Sequence, residues 1–335
     1  MVRDRGVNAM AAALANAIAA RDWARNPPRD PQTADDYVAL LTQLYETGRR
    51  DLPLGRLLEG HVDAVQVVRR YGSERQVDRL RHALGEGAML GVWNAALPGE
   101  PLHLDGDRLS GGKSYASGAG VLTHALVTAD SEGGTQLLLL DLARAVPAID
   151  RNWWHVTGMQ RSETHQVRWD GATIHVEDRI GAPDLYAREP FFSGGALRFV
   201  AVHAGGMAGV CDRARDHLVA TGRAEDPIQA TRLAELFWLA DGAAAIVRRT
   251  ATQWFETDGE TRLAKVAAAR LAVAEATGRS IALAQEAVGL AGQFLTHPLS
   301  AMLTDLAVYL RQPAPDAQRL RVGRAVQQGV LVPWL

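Results

Sequence analysis

The feature that most constrains the fold is a change of hydrophobic period partway along the chain. Residues 7–24, 33–49 and 54–71, and a fourth segment opened by Ser73, carry apolar residues at three- and four-residue spacing, which predicts amphipathic helices. The second shows the pattern best, with Tyr37, Leu40, Leu41, Leu44 and Tyr45 on one face. Asn26–Pro31 interrupts the first two, because adjacent prolines block helix continuation. Between about residues 88 and 182 the period shortens. Runs at Ala88–Val92, Arg108–Ser110, Ala125–Thr128, Gln136–Leu140, His165–Trp169 and Thr173–Val176 are divided by Gly, Asp and Pro, and predict a small antiparallel barrel or sandwich. The uninterrupted Leu137–Leu140 predicts a strand buried on both faces. From about residue 190 Ala-rich amphipathic segments return, at 195–221, 227–256, 261–291, 297–310 and 316–330, and their short connectors predict an antiparallel bundle. The expected class is α+β in three parts: an N-terminal helical domain (1–87), a β domain (88–185) and a C-terminal bundle (186–335).

Composition excludes several classes. With 335 residues, 47% of them hydrophobic, the chain can bury a large core. A net charge of −2, with both signs interspersed, offers no basic stripe for nucleic acid. The single cysteine, Cys211, rules out an internal disulfide and a cysteine-based metal site, and reads as a small buried apolar residue. Asn8 and Asn16 interrupt the apolar N-terminal run and Arg21-Asp22 follow it, so it reads as a first helix rather than a secretory signal. No run reaches the roughly 18 apolar residues a membrane span needs. A cytoplasmic protein with no membrane and no nucleic-acid partner is expected.

The segment Gly112–Gly120 carries the strongest chemical hint. On an extended chain side chains alternate, so Tyr115 and Ser117 would share one face about 7 Å apart. A ring to stack and a hydroxyl to bond an edge suit a flat, nitrogen-rich ring system.

Taken with Gly91–Pro98 upstream, and Val156–Thr164 and Val176–Gly181 downstream, this segment resembles the acyl-CoA dehydrogenase family, over roughly residues 50–330. The resemblance implies bound FAD. In the family's first flavin segment an aromatic precedes a Thr that meets the ring; here these positions are Trp93 and Ala96, so a side-chain bond is lost while backbone groups of Ala95 and Ala96 remain available. The family's Trp-x-Thr becomes Tyr115-Ala116-Ser117, with Ser117 expected to reach N5. Contacts to the adenine end from a neighbouring subunit would fall on Gln229 and on Ala291-Gly292, with Arg223 standing in for a family arginine. A solvated helix residue is the alternative for Gln229. FAD binding in this manner requires a homodimer or homotetramer, formed with itself or with a homologous subunit.

The positions where the family keeps its catalytic carboxylate are empty. The tail alignment puts it on Pro313 or Gln312, with the preceding Arg-Asp pair replaced by Thr304-Asp305; the alternative position, about Ala196, also lacks a carboxylate, and Glu189 is the nearest acid. The turn that helps bind coenzyme A phosphates is reduced to Pro98–His103 and carries Glu100. No catalytic residue is assigned. No metal site is expected, because Glu59, His61 and Asp63 do not share one helical face, and Glu59 with Asp63 reads as a solvated one. His203 reads as a core histidine, and Trp153-Trp154 as packing or a pocket wall. Three functions stay open: an FAD-dependent oxidoreductase acting on an acyl thioester or related small molecule, a flavin monooxygenase of the same fold, and a catalytically silent subunit of a mixed oligomer.

Overall fold

The computed structural model describes residues 2–333. Among the described residues four helices come first: α1 (Val2–Ala19), α2 (Ala34–Arg50), α3 (Leu52–Tyr71) and α4 (Glu74–Gly85). Eight strands follow: β1 (Leu90–Trp93), β2 (His103–Asp105), β3 (Arg108–Ala116), β4 (His124–Ser131), β5 (Gly134–Asp141), β6 (Ala148–Asp150), β7 (His165–Thr173) and β8 (Arg179–Ile180). The last helices are α5 (Phe191–Gly194), α6 (Ala196–Ala220), α7 (Pro227–Gln253), α8 (Gly259–Val288), α9 (Pro298–Tyr309) and α10 (Pro315–Gln327). Among the described residues no helix is long and apolar enough to cross a membrane.

Local chemistry sets the helix boundaries. Thr33 and Ser73 close capping boxes with Asp36 and Gln76, satisfying backbone donors that would otherwise lack partners. Asp226 caps α7 directly before Pro227, whose missing N–H costs nothing in the first turn.

The chain forms two compact units. One takes residues up to Asp30, Arg56–His155 and Gln160–Arg188; the other takes Pro31–Gly55, Val156–Met159 and residues from Glu189 onward. In the first unit one sheet runs β6-β7-β3-β2-β4-β5-β8, with β1 beside β4. Most pairs are antiparallel, but β4 pairs in parallel with both β1 and β2, a mixture that strand texture alone does not reveal. Its core joins Val65 and Val68 of α3, Leu80 and Leu84 of α4, and Leu90, Leu126, Leu137 and Ile180 of the sheet. Burying each such aliphatic side chain contributes about 2 kcal/mol. The expected strand at Thr173–Val176 does not form: β7 ends at Thr173, and Val176–Asp178 is a 3-10 turn whose Glu177 carbonyl accepts from Gln76.

In the second unit α6 packs against α2, α7, α8 and α9. Small residues set the α2–α6 approach. A Cβ on Gly205 would stand 2.0 Å from the Tyr45 carbonyl oxygen, one on Gly209 2.3 Å from that of Arg49, and one on Gly48 2.4 Å from that of Val202. Arg49 and Asp212 clasp the same pair of helices, Nε to Oδ2 at 2.6 Å.

Candidate functional site

The candidate residues of the sheet unit gather where β1 ends. Trp93 is buried and forms the floor: its Nε1 donates to the Ser117 carbonyl at 2.9 Å, and its ring lies 6.3 Å from that of Trp169. Beyond Trp93 the chain surfaces as Asn94-Ala95-Ala96, all exposed. Ser114 holds this segment from below, its N–H donating to the Ala95 carbonyl at 3.0 Å and its hydroxyl to that of Ala96 at 2.7 Å. The N–H groups of Ala95 and Ala96 have no acceptor among the described residues. The segment therefore keeps two backbone donors for a ligand, even though Ala96 has no hydroxyl.

Tyr115 and Ser117 do not share a face, contrary to strand alternation. Tyr115 sits at φ 52°, in the left-handed region, where β3 slips register against β7 between Lys113 and Ala116. That bulge turns the phenol outward, 58% exposed, and turns Ser117 inward. The Ser117 hydroxyl is buried and accepts from Thr164 Oγ1 at 3.0 Å, and Thr164 in turn bonds Ser162 at 2.7 Å. Tyr115 stands edge-on to Trp153 and Trp154, at centroid distances of 4.9 and 6.3 Å. These three rings make an aromatic wall that the sequence reading described only in part, because the bulge is what brings residue 115 to residues 153 and 154. A cleft of about 380 Å³ opens among loops after β3 and β5, lined by Ala119, Gly120, Thr123, Asp141 and Arg151.

Sequence reasoning missed Lys113. It is 4% exposed, and its ammonium donates to Thr128 Oγ1 at 2.8 Å and to the Asn94 carbonyl at 3.3 Å. Thr128 Oγ1 lies 2.8 Å from Asn94 Oδ1. Burial lowers the lysine pKa to about 8, against a weaker opposing pull from Asp130. A Lys directly after a glycine pair in β3 was the one available signal.

In the helical unit Arg223 joins Gln229 to the end of α8. Gln229 is buried rather than solvated. In the amide orientation its surroundings dictate, its oxygen accepts from Arg223 at 2.7 Å and Arg232 at 3.2 Å. Arg223 also reaches the Ala287 carbonyl at 3.3 Å, just before the turn Gly289–Gln293 that holds Gly292. The acids near the expected base positions are otherwise engaged. Glu189 accepts from the Ser193 N–H at 2.9 Å, and Asp305 accepts from the Met159 N–H. Gln312 donates to the Tyr309 carbonyl.

Other candidates resolve into structure. Glu59 is buried and paired with Arg56 at 2.9 Å, which corrects the solvated-face expectation. His61 Nδ1 accepts from the Leu90 N–H at 3.2 Å. Among the described residues no cluster of His, Cys, Asp or Glu could hold a metal ion. Cys211 is half-buried, and burial raises its pKa. His203 lies in the core, 4.5 Å from the Tyr309 ring and 5.5 Å from that of Phe199.

No protein-family model matches the chain, and no curated protein does. Solved structures do. TdsC from Paenibacillus sp. A11-2, described as a dibenzothiophene monooxygenase and solved with FMN and indole, superposes with TM-score 0.76 at 16% identity, covering 97% of this chain and 96% of its own. Butyryl-CoA dehydrogenase from Megasphaera elsdenii gives TM-score 0.76 at 14% identity, covering 96% and 89%. KijD3, solved with FMN and a dTDP-linked amino-keto sugar, gives 0.74 at 19%, covering 96% and 95%. Likeness at these identities is a likeness of fold.

Proposed function

We propose that this chain, which has the acyl-CoA dehydrogenase fold, is a flavin-dependent oxidoreductase whose reaction requires no carboxylate base. The observation that carries the reading is the pair of unsatisfied backbone donors at Ala95 and Ala96 beside the wall of Tyr115, Trp153 and Trp154. The edge of an isoalloxazine is rich in acceptors and its faces are apolar, so the donor set and the aromatic wall fit it. Bound flavin would supply hydride exchange or, once reduced, oxygen activation. The chain's own part is to bind and orient: Ala95 and Ala96 donate to the ring edge, Ser114 fixes those two residues, and Tyr115 covers a face.

Oxygen transfer is the favoured reaction class. It consumes dioxygen and two electrons from an external reduced nicotinamide or reductase, placing one oxygen atom on the substrate and the other in water. Removal of an α proton from a thioester would need an acceptor that Ala196, Gln312 and Pro313 do not provide. The printed description of TdsC as a monooxygenase supports the same class. FAD is the expected flavin. FMN is the second reading, favoured because the Gln229 amide is already engaged by Arg223 and Arg232.

Purified protein is expected to be yellow, with the flavin identified after release by mass. Bleaching by a reductase or reduced nicotinamide, and not by acyl-CoA, is the predicted outcome; bleaching by acyl-CoA alone would restore the dehydrogenase. Colourless protein that stays so after FAD or FMN addition would leave the silent subunit. Tyr115→Gly separates fold from site. Glycine relieves a left-handed strain of about 1 kcal/mol while two aromatic contacts of about 1 kcal/mol each are lost, so apo stability should fall by only about 1 kcal/mol. Flavin affinity, read by fluorescence titration, should fall about tenfold.

A homo-oligomer fits the surface of the helical unit. Ile228, Phe237 and Trp238 of α7, and Leu290, Phe294 and Leu295 after α8, stand exposed. Exposed apolar groups of this size mark interaction surfaces. Trp238→Asp should shift the light-scattering mass toward the monomer with helical content unchanged; an unaltered oligomer would remove α7 from the interface.

A further inference from the structure

We propose that Lys113 is a positioning residue for the flavin: it locks the Asn94 carboxamide with its NH2 group toward the ligand, and it holds a positive charge behind that segment which favours the reduced, anionic ring. The inference rests on the flavoprotein reading above and assigns three residues that reading did not use, Lys113, Thr128 and Asn94.

Hydrogen-bond directions follow from chemistry. An ammonium only donates, so Thr128 Oγ1, 2.8 Å away, must accept from Lys113. The threonine's one proton is then free to go to Asn94 Oδ1 at 2.8 Å, the shorter of its two contacts, rather than to the Asn94 carbonyl at 3.4 Å. The amide oxygen must therefore face the threonine, and the amide nitrogen must face away. Asn94 is exposed, and its Nδ2 has no acceptor among the described residues. A lysine, a threonine and an asparagine in series thus leave a third donor beside the two N–H groups of Ala95 and Ala96. The threonine-to-asparagine direction is set by the charge on the lysine.

The charge itself lacks a counterion. No carboxylate pairs with Lys113 among the described residues, and Asp130, the acid that acts on it, is exposed near the end of β4. A buried cation without a carboxylate destabilises the empty protein, and a nearby anion offsets that cost. Reduced flavin, deprotonated on its pyrimidine ring, is such an anion. Oxidised flavin is neutral there, so the lysine discriminates between the two.

The test compares wild type with Lys113→Met, Thr128→Val and Asn94→Ala, each loaded with the flavin found in the wild type. Lys113→Met should bind oxidised flavin within threefold of wild type and reduced flavin about tenfold more weakly, a fall of about 30 mV in the two-electron midpoint potential. Without flavin, Lys113→Met should melt at or above the wild-type temperature, because the unpaired cation is gone. Thr128→Val keeps the charge and breaks the series. It should reproduce the visible circular dichroism of flavin-loaded Asn94→Ala, with a smaller change in potential. A folded, flavin-binding Lys113→Met with wild-type potential overturns the charge role. Thr128→Val with the wild-type spectrum, while Asn94→Ala differs, overturns the relay. If Lys113→Met does not fold, the Thr128 and Asn94 comparison still decides the relay. Absence of flavin binding by wild type would sink the flavoprotein reading itself and the lysine assignment with it.

Discussion

Gly205→Ala should unfold the helical unit under conditions in which the wild type stays folded. By intrinsic propensity the change is favourable, since alanine in a helix interior is worth about 1 kcal/mol over glycine. Packing reverses the sign. The new Cβ would stand 2.0 Å from the Tyr45 carbonyl oxygen and 2.8 Å from its carbon. Both are backbone atoms of α2, so no side chain can swing aside. The helices must separate by more than 1 Å, which loosens Gly209 against Arg49 and Gly48 against Val202 in the same seam. The expected loss is about 3–5 kcal/mol, a large part of the roughly 5–15 kcal/mol that holds a domain together. Gly278→Ala is the control. It lies on an exposed face of α8 with nothing within 4 Å of the added Cβ, and should stabilise by about 0.5–1 kcal/mol. Urea titrations of both variants decide the matter; a Gly205→Ala protein as stable as the control would mean that the α2–α6 seam is not close-packed.

Acid should destabilise the helical unit well above the pH at which carboxylates protonate, and His203 is the cause. Burial, with the Arg270 charge adding to it, depresses this imidazole to about 3. In the unfolded chain it titrates near 6.5. Between those values the unfolded state holds a proton that the folded state does not, so stability falls as pH falls. The contribution is intact above pH 6.5, falls by about 2 kcal/mol at pH 5, and is lost progressively down to about pH 3. Asp212, held low by Arg49, works in the same direction but in a lower window, below its unfolded value near 4. Comparison at pH 7 and pH 5 therefore separates the histidines from the carboxylates; His217 on the same helix, lowered by burial and by His297, acts in the same direction, so the His203 share is read from its substitution. His203→Met, similar in bulk and without a proton to gain, should lower stability at pH 7 yet erase about 2 kcal/mol of the difference between the two pH values. An unchanged difference would assign the acid sensitivity elsewhere. In the sheet unit His61, buried and depressed to about 4, predicts a similar acid limb.

Much of this architecture was legible from residue pattern because it is local. The face of Tyr37, Leu40, Leu41 and Leu44 is buried as its spacing predicts, with Tyr45 half-buried at its edge, and the caps at Thr33 and Ser73 sit where the hydroxyls do. The long helices of the C-terminal half fall within a few residues of their expected bounds, because apolar period and Pro or Gly punctuation are properties of neighbouring residues, whereas α1, expected at 7–24, is Val2–Ala19, its Ala-rich run having no cap to fix its ends. The Leu137–Leu140 run lies inside a paired strand with three of its four leucines buried.

What stayed hidden is what long-range contact decides. Tyr115 and Ser117 look like a same-face pair until a register slip against β7 puts residue 115 in a left-handed conformation, and no rule of alternation anticipates a bulge. Glu59 looks solvated until Arg56 and the packing of α3 enclose it. Lys113 reads as an ordinary strand lysine until β4 brings Thr128 beneath it, fifteen residues away.

The sequence by itself determined the order of helices, strands and helices, the ends of the capped helices, and the absence of a carboxylate at either expected base position, because periodicity, capping and residue identity need no knowledge of distant neighbours. Only the tertiary structure decided which donors are left without acceptors and which charges are left without counterions. Satisfaction of a polar group is a property of everything within hydrogen-bond reach of it, and in this protein that reach spans strands far apart in the chain.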